Sequence, residues 1–223
     1  MNSEVKKYFR HLDLVREDMR EELALIDLPE KALTICDYGC GNGLTTYSLG
    51  LEVPGSKCIG VDRFDGESFP TLSTMMQYLE IIKSHCKDHT PTGKSFSDDL
   101  CRLIGEKRNP QFRRGDIVSG QNLPQGVDLA YCKRLLINIF HGKHGNELHG
   151  EDGLRAAINH IVNSLRPGGL VCVIEFEGFG LEEYFLREKL RILNRTLIKR
   201  NDIRSRGRTT VTSHYDFYLC QKS

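Results

Sequence analysis

The sequence predicts an α/β protein: a doubly wound, mostly parallel seven-stranded sheet with helices on both faces and a C-terminal antiparallel hairpin. Three observations point to it. Short apolar runs of strand length alternate with one-sided helical stripes along most of the 223 residues. A glycine-rich loop, "DYGCGNG", links the first of those runs to its helix. Two β-rich segments then close the chain, near enough to one another to form a hairpin. Parallel neighbours need crossover connections, so the alternation means a parallel sheet.

Taken in order, Val5, Tyr8, Phe9, Leu12, Val15 and Met19 recur at helical spacing, and residues 1–27 read as a helical cap before the first strand. "ALTICD" (32–37) is short and apolar and is followed by the helix-compatible "LTTYSLGL". "KCIGVD" (57–62) follows a Pro-Gly turn and reads as the second strand. Leu72, Met75, Met76, Leu79 and Ile82 then form a helical stripe, and "SFSDDLCRLIGEK" (95–107) a shorter helix with Ser97 or Asp98 as its cap. The insertion 65–111 therefore reads as helical, either a lid over a small substrate or a packing elaboration at the sheet edge. "QFRRGDI" and "VDLAYCK" (127–133) are the third and fourth strands. Leu154, Ala157, Ile158, Ile161 and Leu165 mark a helix, and "PGG" turns into a fifth strand, "LVCVIEF" (170–176). Leu186, Leu190, Leu193 and Leu197 predict a helix over 181–199, and "RGRTTVT" and "HYDFYLCQ" complete the hairpin.

This length suits a single domain, 1–223. A formal net charge of +1 argues against nucleic-acid binding through the overall field and says nothing about a local patch. No apolar run reaches membrane-spanning length and the N-terminus lacks an export-type apolar core, so a cytoplasmic protein is expected. Eight scattered cysteines without CxxC or zinc-finger spacing fit reduced core residues rather than a metal site or a disulfide framework.

Glycines between a parallel strand and its helix let a ligand approach the main chain closely, beside free N–H groups and the positive end of a helix dipole. The dinucleotide fingerprint G-x-G-x-x-G would need glycine at 44 or 46, where the chain has Leu44 and Thr46. The phosphate-cradling G-x-x-x-x-G-K-[ST] is also absent. What remains is Asp37-x-Gly39-x-Gly41-x-Gly43, followed by "GVD" ending at Asp62, "RRGDI" containing Asp116, "LPQGVDLAYCKRLL" and "SLRPGGLVCVIEF".

Those segments, in that order, resemble the motifs of the class I S-adenosylmethionine-dependent methyltransferases, a Rossmann-like family, over most of the chain. The resemblance implies S-adenosylmethionine as cofactor and S-adenosylhomocysteine as product. It also implies a binding set: Asp37, Gly39, Gly41 and Gly43 under the methionine portion, and Asp62 on the ribose hydroxyls. Asp116 and Ile117 fall in the adenine-contacting segment, Arg63 and Phe64 where a side chain packs on adenine, and Tyr131 in the fourth motif. Phe64 reads equally as a buried helix-start residue. Physically, acids at strand ends suit hydroxyl and amino donors, and open α/β sheets bind ligands beyond the carboxyl ends of their strands.

Methyl transfer is an in-line displacement from a good leaving group, so positioning does much of the work and a general base is needed only for acceptors such as hydroxyls. Neither an Asn/Asp-Pro-Pro-Tyr/Phe after the fourth strand nor a Pro-Cys nucleophile is present. The acid–base candidates are His141 and His144 in "HGKHGNELHGED" (141–152). That loop reads alternatively as solvated, or, with His149, as a metal site of unmatched spacing. Residues 187–208 hold nine Lys or Arg against Glu188 and Asp202, a local balance of +7. They form either a solvated face or a platform for an anionic partner such as RNA. Three functions are thereby expected in competition: methyl transfer to a small molecule at O, N or S; RNA or protein methylation; and a non-catalytic module that binds the cofactor.

Overall fold

The computed structural model describes residues 17–63, 99, 110–142, 148–203 and 210–223. The predicted helical cap over 1–27 is thus described only from residue 17. The stripe at 72–82, the helix at 95–107 apart from Asp99, Phe64 and His144 lie outside the described residues, as does all of the 65–111 insertion but Asp99, Pro110 and Gln111.

Seven strands form one sheet: β1 (Thr34–Tyr38), β2 (Lys57–Asp62), β3 (Gln111–Arg114), β4 (Val127–Lys133), β5 (Leu165–Phe176), β6 (Leu190–Ile203) and β7 (Thr210–Lys222). Their spatial order is β3-β2-β1-β4-β5-β7-β6. Every pairing from β3 to β5 is parallel, and β7 enters antiparallel between β5 and β6. The order reverses between β1 and β4, the point where an open α/β sheet leaves a crevice at its carboxyl edge.

The helices are α1 (residues 17–23), α2 (Leu44–Glu52), α3 (Leu136–Phe140), α4 (Gly150–Ser164) and α5 (Glu182–Arg187). Period-two alternation divides the core between them. Cys36, Tyr38, Ile59, Val61, Cys132 and Val173 face Leu154, Ala157, Ile158 and Ile161 of α4. Ile35, Cys58, Leu129, Tyr131, Cys172 and Phe217 face the other way, against Leu49 of α2 and Met19 of α1. Strands buried on both faces explain why their sequences read as nearly continuous apolar runs.

Two expectations are corrected. The predicted helix over 181–199 stops at Arg187, and Lys189, in the left-handed region at φ 59°, turns the chain into β6. Thirteen residue pairs with β7 override the leucine stripe, because Ile192, Asn194, Thr196 and Ile198 also satisfy a period of two. Leu193 and Leu197 are left 43% and 45% exposed. The hairpin is accordingly Leu190–Ile203 with Thr210–Lys222, rather than "RGRTTVT" paired with "HYDFYLCQ". In β5 the "RPGG" segment joins the strand, with a register shift against β4.

Candidate functional site

The glycine loop leaves β1 at the sheet's carboxyl edge and is stitched to β2. Gly39 and Cys40 donate their amides to the Val61 carbonyl at 2.8 and 3.3 Å, and Gly43 donates to Cys40 at 2.8 Å. Gly41 donates to Oδ2 of Asp62 at 2.9 Å, and the Arg63 amide to Oδ1 of the same carboxylate at 2.7 Å. The three glycines have φ of 75°, 51° and 82°, a region that side-chain-bearing residues adopt only with strain. A Cβ on Gly39 would stand 2.7 Å from Cδ1 of Leu135, whereas one on Gly41 would meet nothing within 4 Å. The loop is therefore tight on the Gly39 side and open above Gly41.

Asp37 is buried beside it and accepts the Thr46 hydroxyl at 2.7 Å. Burial pushes its carboxyl up to about 7; the Thr46 bond opposes that rise, and the nearby Asp62 charge adds to it. Beyond β3, Asp116 caps its own turn by accepting the Val118 amide at 2.8 Å, and Gly115 donates to the Asp62 carbonyl at 3.0 Å. Ile117 is buried, its carbonyl held by Nδ1–H of His160 at 2.9 Å. Asp37, the three glycines, Asp62 and Arg63 thus meet at one edge, with the Asp116–Ile117 turn tied to them through Gly115.

Tyr131 and His141 are placed differently. Tyr131 pairs with Asp37 in register, but its side chain is fully buried and its hydroxyl donates to the Glu22 carboxylate. His141 follows α3, exposed, its ring edge-on to Phe140 at 5.4 Å; Phe140 in turn meets Phe179 at 5.5 Å.

Sequence reasoning missed two charged groupings. Lys133 bonds Glu22 at 2.9 Å and Asp18 at 3.2 Å, while Arg200 of β6 pairs with Asp18 at 3.0 Å, with Glu22 at 3.4 Å and with Glu21. This cluster fastens α1 across β4 and β6. The other grouping is Glu175, fully buried at the end of β5, beside Arg134, whose guanidinium lies 4.7 Å from the Tyr215 ring and 5.5 Å from Phe176. The available signal was a charged residue ending an apolar strand, in "YCKR" and "VIEF".

No protein-family model and no curated protein matches the chain. Solved structures do. The magnesium protoporphyrin IX methyltransferase ChlM from Synechocystis, with S-adenosylhomocysteine bound, aligns with a TM-score of 0.57 at 14% identity, over 96% of this chain and 83% of its own. The N-methyltransferase NodS from Bradyrhizobium japonicum, in complex with S-adenosylhomocysteine, gives 0.54 at 15% identity, over 93% and 86%. The [4+2]-cyclase SpnF gives 0.53 at 15%, over 94% and 80%. The chain has the fold of the class I S-adenosylmethionine-dependent methyltransferases. SpnF's description as a cyclase illustrates why function must be argued from the site. Among the described residues no helix is long and apolar enough to cross a membrane.

Proposed function

We propose that the chain binds S-adenosylmethionine at the carboxyl edge of β1, β2 and β3 and transfers its methyl group to a small-molecule oxygen, nitrogen or sulfur, releasing S-adenosylhomocysteine. One observation carries this reading: Asp37, Asp62 and Asp116 stand at or just beyond the ends of three neighbouring strands, around a loop that is open above Gly41. The donor set suits the cofactor's chemistry. The Asp62 carboxylate accepts the Gly41 and Arg63 amides, and a carboxylate at this strand end is the acceptor type that ribose hydroxyls need. Asp37 would be drawn to its ionised form by a ligand ammonium, against the burial that raises its pKa. Asp116 and Ile117 would border the adenine with Arg63 and Phe64, and Tyr131 would support Asp37 from the neighbouring strand.

Bound S-adenosylmethionine supplies an electrophilic methyl on a good leaving group. The chain's own task is then to orient the acceptor and, for a hydroxyl acceptor, to take its proton, a role we give to His141 or His144. A small acceptor is favoured over RNA because the basic segment is partly spent. Arg187 pairs with Glu183 at 3.6 Å, Arg195 with Glu182 and with Asp216 at 3.4 Å, and Arg200 with the α1 acids. The cysteines among the described residues are free and buried and suit a reducing compartment, in keeping with the cytoplasm.

Calorimetric titration with S-adenosylhomocysteine, followed by a methyl-donor consumption screen over metabolite pools, tests the proposal. Binding with turnover on a small molecule supports it. Binding without turnover across broad pools leaves a non-catalytic binding module, and tRNA or rRNA binding lost between low and moderate salt transfers the reading to RNA. No binding of either cofactor form ends it.

A further inference from the structure

Glu175 is the acid within β5, next to its last residue, and nothing in the proposed binding set uses it. Its Oε1 accepts the Leu136 amide at 2.7 Å and the Ile137 amide at 3.4 Å. These are first-turn amides of α3, whose own N-cap residue, Leu135, provides no side-chain cap. The cap therefore arrives from a strand 39 residues away in sequence. Two further bonds hold the same turn: Arg134, at φ 57°, donates its amide to the Ile174 carbonyl at 2.9 Å, and Asn138 Nδ2 donates to the Arg134 carbonyl at 2.7 Å.

Retaining a carboxylate here is expensive for the fold. Glu175 is fully buried, and its Oε2 has no hydrogen-bond partner among the described residues. An orphaned buried acceptor destabilises the fold, the more so when charged. A leucine of similar size would avoid that, so the carboxylate's effect is local, on the turn it grips. The turn presents Leu135, whose side chain fills the space beside Gly39 that a Cβ would otherwise take. A chain of contacts thus runs from β5 through the turn after β4 to the glycine loop.

We propose that Glu175 is a positioning residue: by gripping the Leu136 and Ile137 amides it holds Leu135 against Gly39, coupling the turn after β4 to the conformation of the glycine loop. The inference rests on the methyl-donor reading only for its ligand readout.

The test is site-resolved amide hydrogen exchange on the ligand-free full chain, with S-adenosylhomocysteine titration alongside, for wild type, Glu175→Gln and Glu175→Leu. Gln keeps a carbonyl acceptor in the same shape; Leu removes it. Glu175→Leu should raise exchange at Leu136, Ile137, Gly39 and Gly41 at least tenfold while the β5–β7 ladder amides stay at wild-type rates, and should weaken ligand binding several-fold. Glu175→Gln should restore most of both. Wild-type exchange at Leu136 and Ile137 in Glu175→Leu overturns the proposal, as does loosening spread evenly over β5 and β7. If Glu175→Leu fails to fold, the Gln variant decides: protection and affinity near wild type sustain the role, and a loss at Gly39 with Leu136 still protected overturns it. A wild type that binds no S-adenosylhomocysteine sinks the cofactor reading and leaves the exchange result to judge this one.

Discussion

Oδ2 of Asp62 accepts the amide of Gly41 at 2.9 Å, so the acid ending β2 shapes the loop that leaves β1. Under the proposed function Asp62 would have two tasks, holding the loop and accepting from the ligand's ribose hydroxyls. Asp62→Ala should remove both and weaken S-adenosylhomocysteine binding about 10- to 100-fold, the equivalent of roughly 1.5–3 kcal/mol for a hydrogen bond to a charged group. Asp62→Asn, which keeps an acceptor for Gly41, should lose less. Equal losses in the two variants, measured by calorimetry, would show that the loop contact does not matter.

The loop glycines should separate stability from binding. Gly39→Ala places a Cβ 2.7 Å from Leu135 at a φ of 75°, and unfolding in urea should show a loss of about 1–3 kcal/mol. Gly41→Ala meets open space and should destabilise less, by about 1 kcal/mol from the left-handed backbone alone. Its methyl projects into the open side of the loop, so ligand affinity should fall further than stability does. A Gly41→Ala variant with unchanged affinity would place the ligand elsewhere.

The acid cluster on α1 should behave as one unit. Lys133→Met leaves the fully buried Glu22 facing, among the described residues, Tyr131 and Arg200, and global stability should drop by about 3 kcal/mol, at the low end for breaking a buried pair. The same variant should speed proteolytic cleavage near residues 17–23 before the sheet opens. Simultaneous loss of sheet and helix protection would show that α1 is not a separately fastened element.

Asp37 and Glu175 both have carboxyls raised to about 7, chiefly by burial. An acid whose folded pKa is raised contributes stability that is fully present below its unfolded pKa and lost as pH rises through the folded one. The ligand-free protein should therefore lose thermal stability as pH climbs from about 4.5 towards 7, and the double variant Asp37→Asn, Glu175→Gln should flatten that decline. A wild-type Tm that rises across this window, or a double variant with the same slope, would contradict the assignment.

His141→Ala should leave S-adenosylhomocysteine affinity unchanged while lowering turnover on a hydroxyl acceptor by about 10²–10⁴-fold, the usual contribution of a general base. Full turnover in His141→Ala, His144→Ala and the double variant would remove both histidines from the chemistry.

Much of the fold is legible residue by residue. "KCIGVD" and "VDLAYCK" match β2 and β4 end to end, because strands buried on both faces must be apolar throughout and turn residues bound them. The leucines of 186–197 misled for a related reason: spacings of three and four also occur in a strand whose alternate residues are Ile, Asn, Thr and Ile. Pairing with β7 chose between the two patterns, and that partner lies beyond local reach.

Candidate site residues divide the same way. Asp37, the glycines and Asp62 sit at strand ends next to glycines, a placement that sequence order reveals because a tight turn and a close backbone approach both demand those residue types. Glu22, Lys133, Arg200 and Glu175 carry no such local mark; each is an ordinary charged residue until the sheet brings it to a partner far away in the chain.

By itself the sequence determined the order of the first five strands, the helices α2 and α4, the glycine loop and the acids that flank it, since these follow from local periodicity and backbone sterics. Only the tertiary structure decided that β6 is a strand, that Tyr131 turns into the core towards Glu22, and that Glu175 caps α3 from across the sheet. Those outcomes depend on long-range pairing and burial, whose energies exist only once distant segments exclude water together.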